Sequence, residues 1–395
     1  MGTTIRRLKR SVQKAAKAAR LSAEDKKLAQ EVIVTMARTG KPYLSEVARS
    51  IKGKDEKLID PERALSEQLG AEDSTLDGLA NGWLDLVTPV VKRLSFITVD
   101  TTEHAKPYGR AFEHLDMVRD ASDPLKRLVP GFWSVQIDAV DELHRILPLV
   151  SRVFSMQAPE FKSWWHTFLE PMLEVIARVG REHTWLFDRG FDAIRFLQSL
   201  MALRIHWVVR QLQTRHVLLA DGQLVLMHEL AAGLHKHHTV DVPYVDKSTH
   251  VLKHAPASFG FAPVRLPGID APLTMVVVDG GRDEDIVLLT NARITDADQA
   301  AQIVLAYLRR WGSEEATRAL KQLPHVEDFR VRKWESIKRL TTMAMITCGI
   351  QSLMLITRAS IAARYIARVP QFIENVLLKN YRLWRGIADA LEHGA

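Results

Sequence analysis

Residues 307–321, YLRRWGSEEATRALK, space four polar side chains at gaps of three, four and seven: Tyr307, Arg310, Glu314 and Lys321. In a helix over residues 296–323, ~100° per residue brings them within an arc of about 60°. The apolar side chains fall largely elsewhere, so this polar stripe is predicted to be displayed, not buried. Its hydroxyl, guanidinium, carboxylate and ammonium groups suit a metal-bound polyanion. A kink at Gly312, which costs ~1 kcal/mol against Ala, would rotate Lys321 away from Tyr307.

The overall composition restricts the class of protein. A chain of 395 residues exceeds one compact core, which predicts two or three domains. With 47% hydrophobic and 26% charged residues, it is expected to be soluble and globular. The net charge of +7 favours nucleic acid or another anionic partner. The single cysteine, Cys348, excludes intramolecular disulfides and Cys-based zinc modules and fits a reducing, cytoplasmic location.

Two segments bear on membrane association. The basic N-terminal segment has no hydrophobic stretch behind it, so no signal peptide is expected. The uncharged residues 341–357 contain four Thr and fall short of the ~20 apolar residues that a membrane span needs. We therefore predict a buried helix there and no membrane partner.

The first 20 residues contain seven basic side chains and no acidic one. Arg6, Arg7 and Arg10 are candidate DNA contacts if this segment forms a basic helix along phosphates, a salt-sensitive interaction. A solvated, frayed terminus is the equal alternative. A helix capped by Ser22 and ending at Gly40, followed by a short helix over residues 44–51, suggests a helix-turn-helix.

The next part of the chain changes to a β pattern. An apolar strand over residues 94–99 ends in Asp100, and a short strand over residues 184–187 ends in Asp188. Between them we predict strands over residues 113–119, 132–140 and 147–153 and a helix over residues 159–180. Three antiparallel strands, a helix and a strand that ends in an acid form the order of an RNase H-like α/β sheet.

A β-rich segment then separates this region from the opening helix. We predict five parts, in chain order: a helical DNA-binding domain (1–92), the first part of an RNase H-like mixed-sheet core (93–202), an inserted β-rich subdomain (203–293), the end of the core (294–323) and a helical DNA-contact or dimerisation region (324–395).

Three acids can carry phosphodiester chemistry. Hard divalent ions prefer oxygen ligands, and carboxylates from two strand ends and a neighbouring helix can hold two such ions. Asp100, Asp188 and Glu314 meet that requirement as catalytic and metal-binding residues. Glu315 is an alternative to Glu314 but lies ~100° off the shared face. Asp192 is an alternative to Asp188 but is better explained as a first-turn helix residue.

These features together resemble one family. The strand that ends in Asp100, the turn Asp188-Arg189-Gly190, the strand end at residues 288–291 and Tyr307-x2-Arg310-x3-Glu314-x6-Lys321 resemble the DDE transposases of bacterial insertion sequences. The resemblance is to the group named for its Y-R-E-K signature, which matches here at all four positions.

The resemblance implies a fold, a reaction and partners. It implies an RNase H-like core with a β-rich insert, two Mg²⁺ ions (or Mn²⁺) on the triad, and cut-and-paste transposition of double-stranded DNA. Inverted-repeat ends would be cleaved and joined to target DNA by a homodimer at the bacterial nucleoid. Tyr307, Arg310 and Lys321 would hold the transposon end, and Arg189 would be a further DNA contact.

One departure from the family concerns the hairpin step. In relatives a tryptophan of the insert holds a flipped base, but this chain has no Trp between Trp207 and Trp311. Phe259, Phe261 and Tyr244 are the remaining candidates for stacking. Second-strand cleavage through a hairpin therefore stays open.

Other clusters have competing interpretations. A set of four histidines (His228, His235, His237 and His238) is either a metal site or, more commonly, a polar loop. Trp164 and Trp165 are interpreted as core residues. A C-terminal basic set could bind DNA or pair subunits: Arg364, Arg368, Lys379, Arg382 and Arg385. A non-catalytic regulator and an RNase H-like nuclease remain the alternative functions.

Overall fold

The computed structural model describes most of the chain. It covers residues 2–395 except 53–57, 121–122, 143–144, 213, 220, 246–251, 281–283, 311–313, 315–316, 319, 322–323, 367–382, 384–385 and 388–395. Several predicted features lie outside the described residues: Trp311, Gly312, Glu315, Arg368, Lys379, Arg382 and Arg385. The side chains of Tyr244 and Arg364 also lie outside them.

The N-terminal region is helical, as its patterns predict. Its helices are α1 (Gly2–Ala18), α2 (Ala23–Thr39), α3 (Leu44–Lys52), α4 (Ile59–Leu69) and α5 (Leu79–Val91). The Ser22 hydroxyl caps α2 by accepting from the Asp25 amide, and Gly40 ends it in the left-handed conformation (φ 66°). The predicted helix, glycine turn and short helix are present; their reading of DNA stays a prediction.

In the described part of the chain, twelve strands form one continuous sheet. They are β1 (Phe96–Ala105), β2 (Asp116–Arg119), β3 (Leu128–Val140), β4 (Ile146–Phe154), β5 (Thr184–Phe187), β6 (His206–Arg210), β7 (His216–Leu218), β8 (Leu224–Leu226), β9 (His238–Val245), β10 (Leu252–Leu266), β11 (Ile269–Val278) and β12 (Ile286–Thr290). The order is β2-β3-β1-β5-β6-β12-β11-β10-β7-β8, with β4 beside β3 and β9 beside β10.

The first half of this sheet has the predicted RNase H-like arrangement. β1 pairs antiparallel with β3 and parallel with β5, and β5 pairs parallel with β6. The α/β fold class is therefore confirmed. The strands of the predicted insert extend the same sheet, because β12 pairs with β6 and β11 pairs with β12. The domain boundaries themselves stay predictions.

Helices cover the sheet on both faces. They are α6 (Trp164–Val179), α7 (Ile194–Leu203), α8 (Met227–Gly233), α9 (Ala297–Leu308), α10 (Trp334–Thr357) and α11 (Ala359–Ile366). One apolar core contains Ile97 and Val99 with α5, α6 and α10. A second core contains Leu186 and Val208 with Val304 and Tyr307 of α9. Successive residues of a strand point to opposite faces, so each strand contributes to both cores.

Helix α10 is the predicted buried helix. Among the described residues it alone is long and apolar enough to cross a membrane, and 78% of its apolar window is buried inside the protein. It packs on β4 and α2, with Ile337, Met343 and Ile346 buried. This is the environment of a core helix.

Three predicted element bounds are wrong. β1 continues to Ala105, so Asp100 lies within the strand, because the β-branched Thr101 and Thr102 keep pairing with β3. The predicted helix over residues 159–180 begins only at Trp164, where the Ser163 hydroxyl accepts from the His166 amide. The helix over residues 296–323 is interrupted: α9 ends at Leu308, and residues 309–310 form a turn before helical residues reappear at Glu314.

Candidate active site

Asp100 and Asp188 lie side by side on neighbouring parallel strands. The register of β1 and β5 pairs Val99 with Phe187, so the two acids occupy the next position of each strand, about 5 Å apart across the ladder. Asp188 directly follows β5, and its Oδ1 accepts from the Gly190 amide at 2.8 Å. This bond holds the Asp188 carboxylate at the end of its strand.

Arg310 joins two of the predicted acids. It follows the C-terminal end of α9, and its Nη2 donates to Glu314 Oε1 at 2.8 Å. Its Nη1 lies 3.4 Å from Asp100 Oδ2. The guanidinium is buried while the Glu314 side chain remains 54% exposed. Arg310 therefore connects Asp100 of β1 with Glu314, which lies 214 residues later in the sequence.

The electrostatics of Asp100 are set by burial and by its neighbours. Burial and the nearby Asp188 carboxylate raise the pKa of Asp100 to about 6, although Arg310 opposes this shift. Glu314 adds a smaller effect in the same direction as Asp188. Negative charges are thus concentrated here beyond what Arg310 neutralises, which favours an added cation.

The predicted display of the polar stripe is wrong for two of its members. Tyr307 is 5% and Arg310 8% exposed. Burial raises the pKa of the Tyr307 hydroxyl, and its ring centre lies 5.8 Å from the Arg310 guanidinium carbon. Tyr307 lies within α9 and packs on the sheet with Leu186 and Val208. The turn at residues 309–310 breaks the helical register on which the predicted arc depends.

Lys321 lies in an internal ion-pair cluster. Its Nζ is 2.8 Å from Glu103 Oε1 and 3.0 Å from Glu327 Oε1, and its side chain is 21% exposed. These contacts tie the segment after α9 to β1, three residues beyond Asp100. The geometry gives Lys321 a positioning role; contact with DNA stays a prediction.

The acids suit a divalent ion by chemistry, since all three offer carboxylate oxygens. As they stand, no group of three His, Cys, Asp or Glu side chains in the described part of the chain could hold a metal ion. The guanidinium of Arg310 lies between Asp100 and Glu314 and contacts one carboxylate oxygen of each. A divalent ion bound by these two acids would compete with Arg310 for them.

The comparisons with known proteins come from a family model and a solved structure. A model described as "Transposase DDE domain" matches residues 162–348, a range that includes Asp188 and Glu314 and begins after Asp100. Residues 162–348 are therefore similar to the transposase DDE domain, which supports a DDE transposase. The assignment of the chain to the Y-R-E-K group stays a prediction.

A solved structure is also similar to this chain. It is the cryo-EM structure of the piggyBac transposase synaptic complex with hairpin DNA, at 12% identity and a TM-score of 0.46. The match covers 94% of this chain and 73% of that chain. No curated protein sequence matches the chain.

The remaining predicted site residues of the chain lie in different places. Arg189 is exposed in the turn next to Asp188. Arg6 and Arg10 are exposed and Arg7 half-buried on α1, which packs on α5 and α2, away from the three acids. The prediction that Asp192 lies in the first turn of a helix is wrong. It lies before α7, because α7 begins only at Ile194.

Asp192 has a structural role of its own. Its Oδ2 accepts from the Leu212 amide at 3.1 Å and lies 3.4 Å from Arg215. Both contacts tie the segment after β5 to the loop after β6. These contacts favour Asp188, not Asp192, as the second acid of the site.

His238, Trp164 and Trp165 pack against neighbouring aromatic rings. His228 lies in α8 and His238 in β9, and the described residues contain no metal-binding group of three. His238 packs 5.6 Å from the buried Phe259 ring. Trp164 packs edge-on against Trp133 and Phe154, and Trp165 stacks on Phe196. Both tryptophans are half-buried and pack against the core from its periphery.

Sequence reasoning missed the residues that hold the third acid. Thr317 Oγ1 donates to Gln136 Oε1 at 2.8 Å, and Gln136 is the partner of Asp100 in the β1–β3 register. Glu103 and Glu327 hold Lys321. Gln136 is 1% exposed in a largely apolar strand, and a buried amide in such a run is the signal that could have found it.

Proposed function

We propose that the chain is an active DNA transposase in which Asp100, Asp188 and Glu314 bind two divalent metal ions for cleavage of transposon ends and strand transfer. The observation that carries the proposal is the adjacency of Asp100 and Asp188 on parallel strands, with Glu314 joined to Asp100 through Arg310. The excess of negative charge at Asp100 supports cation binding at this point.

Each residue has a distinct role in this proposal. Asp100 would hold the metal ions together with Asp188 on the neighbouring strand and with Glu314 on the segment after α9. When bound, the ions would activate water and neutralise the charge that develops on phosphate. The exposed Arg189 would contact a DNA phosphate beside Asp188. Arg310 and Tyr307 would position the acids from the core side.

Lys321 completes the set of positioning residues. Its pairs with Glu103 and Glu327 fix the segment that carries Glu314 against β1. Double-stranded DNA as partner, the homodimer and the location at the bacterial nucleoid remain part of the proposal. Magnesium is the expected ion and manganese its substitute, because both accept carboxylate ligands.

The test removes the negative charge of one acid and keeps the size of its side chain. Glu314→Gln should still bind DNA but lose nicking by at least about a hundredfold, since even outer-shell changes at metal sites cost about 10–100-fold. The substrate is a supercoiled plasmid that carries the DNA flanking the coding sequence on both sides, with Mg²⁺ or Mn²⁺. Glu72→Gln, an exposed acid outside the site, is the matched control.

Three outcomes separate the candidate functions. Nicking and joined products from wild type, with both lost in Glu314→Gln, support the transposase. Nicking without joined products supports the nuclease, and binding without nicking by wild type supports the regulator. Wild-type nicking by Glu314→Gln would overturn the role assigned to Glu314.

A further inference from the structure

Gln136 is a buried polar residue beside the candidate active site. It lies in the middle of β3, directly opposite Asp100 of β1 on one side and Ser151 of β4 on the other. Its side chain is 1% exposed. Directly opposite residues of an antiparallel pair point to the same face of the sheet, with Cβ atoms about 5 Å apart. Gln136 and Asp100 are therefore side-chain neighbours on one face.

The two ends of the Gln136 amide have different surroundings. Its Oε1 accepts from the Thr317 hydroxyl at 2.8 Å. Its Nε2 is buried and has no hydrogen-bond partner among the described residues. A buried N–H group without a partner is costly and rare in folded proteins. The presence of such a donor in the strand next to Asp100 therefore points to a function for it.

The Asp100 carboxylate is held unequally at its two oxygens. Its Oδ1 accepts from the Thr101 amide at 2.8 Å, a normal hydrogen bond. Its Oδ2 has a longer contact of 3.4 Å with Arg310 Nη1. A divalent ion would compete with Arg310 for this carboxylate and so remove the donor at Oδ2. A second donor, from β3, would keep the carboxylate in one orientation while its remaining lone pairs face the ion.

Thr317 connects Gln136 to the third acid. It follows Glu314 by three residues, in the segment that also contains Lys321. Arg310 and Glu103 bind the side chains of Glu314 and Lys321, and the Gln136–Thr317 hydrogen bond is a direct link from β3 to the same segment. One amide therefore binds the segment of Glu314 through its oxygen and has its free nitrogen beside Asp100.

We propose that Gln136 is a positioning residue of the metal site, which donates from Nε2 to the Asp100 carboxylate and, through Thr317, fixes the segment of Glu314 when a divalent ion binds. The inference rests on the proposed function, because it requires that Asp100 and Glu314 hold the ion. Gln136 acts through these two acids and does not itself ligate the ion. It raises the metal affinity by preorganising both carboxylates.

The test measures metal affinity without DNA, so that cleavage does not enter the result. Binding of Mn²⁺ to the full chain is followed by the electron paramagnetic resonance signal of the free ion. Gln136→Met keeps the approximate volume of the side chain and removes its amide. It should weaken Mn²⁺ binding by about 10–100-fold, the usual effect of losing an outer-shell partner. The control Ser151→Ala removes the hydroxyl on the other side of Gln136 and should keep the wild-type affinity.

A double-mutant cycle tests the link to Glu314. Thr317→Val removes the hydroxyl that binds the Gln136 amide, so it should also weaken Mn²⁺ binding. Because both substitutions break one link, Gln136→Met/Thr317→Val should bind Mn²⁺ no more weakly than Gln136→Met. Losses of affinity that multiply in the double variant would overturn the coupling of the two acids.

Thermal unfolding in EDTA separates positioning from general packing. Gln136→Met removes a buried amide whose nitrogen has no partner, so Tm without metal should change little. If this variant unfolds more readily, Thr317→Val, at a half-buried position, decides the question. Wild-type Mn²⁺ affinity in Thr317→Val would then overturn the proposal.

Asp100→Asn separates this inference from the proposed function. Mn²⁺ binding that is lost in Asp100→Asn but kept in Gln136→Met would overturn the role of Gln136 alone. Absence of Mn²⁺ binding by wild type, or binding that Asp100→Asn does not weaken, would overturn the metal site and with it both proposals.

Discussion

Replacing Asp100 by Asn should stabilise the protein at neutral pH in the absence of divalent ions. Burial and the neighbouring Asp188 raise the pKa of Asp100 from 3.8 to about 6. An acid whose folded pKa is raised destabilises the fold once the pH exceeds that pKa, and costs nothing below its unfolded pKa. The penalty therefore grows between about pH 4 and pH 6 and remains above it.

The expected magnitude follows from the size of the shift. A rise of about two units at about 1.4 kcal/mol each gives a penalty of about 3 kcal/mol in the free energy of unfolding at pH 8. With about 2.1 cal/mol/K of unfolding entropy per residue, a 395-residue chain has about 0.8 kcal/mol/K in total. Asp100→Asn should then raise Tm by about 4 °C at pH 8 and by about zero at pH 4. Loss of the ionic contact with Arg310 reduces the gain at pH 8.

Differential scanning calorimetry in EDTA at both pH values measures this difference. A second scan at pH 8 with millimolar Mg²⁺ or Mn²⁺ should raise Tm for wild type and not for Asp100→Asn, because a ligand of the folded state stabilises it. A variant that is no more stable than wild type at pH 8, or a gain that persists at pH 4, would refute the reasoning about Asp100.

Two further substitutions probe the packing that supports the site. Lys321→Met leaves Glu103 and Glu327 without their shared cation and should cost about 1–3 kcal/mol. Since burial already raises the pKa of Glu327, the loss of Tm should be larger at pH 8 than at pH 5, and equal losses would contradict the ion-pair explanation. Gly349→Ala brings a Cβ to 2.3 Å from Trp83 and should lower the free energy of unfolding by about 1–3 kcal/mol. The control Gly233→Ala places its Cβ in open space and should change Tm little. Similar Tm values for both variants would show that the α5–α10 contact is not tight.

The sequence predicts most accurately the elements that local patterns define. Short apolar runs identify β3, β4 and β5, and the strand-to-turn change at Asp188 predicts this residue directly after β5, where the structure has it. Local signals of this kind need no knowledge of distant contacts. The sequence predicts a strand end at Asp100 because the apolar run stops there, although pairing of Thr101, Thr102 and Glu103 with β3 keeps the chain extended.

The helical stripe failed for a related reason. A wheel drawn over residues 296–323 assumes one unbroken helix, but α9 stops at Leu308. The burial of Tyr307 and Arg310 follows from the sheet below them, and a sequence pattern contains no information about that surface. Ion pairs such as Lys321 with Glu103, 218 residues apart, likewise depend on the tertiary fold.

The three acids differ in how firmly the fold holds them. The register of β1 and β5 fixes Asp100 beside Asp188, so their spacing is a property of the sheet. Glu314 has no such backbone partner: side-chain bonds from Arg310, Thr317 and Lys321 hold its segment. A site built in this way has two acids preorganised and a third that can exchange the Arg310 guanidinium for another cation without disturbing the sheet. In the proposed metal site, the Arg310–Glu314 contact is therefore the one that metal binding would change, while Asp100 and Asp188 would keep their places on the strands.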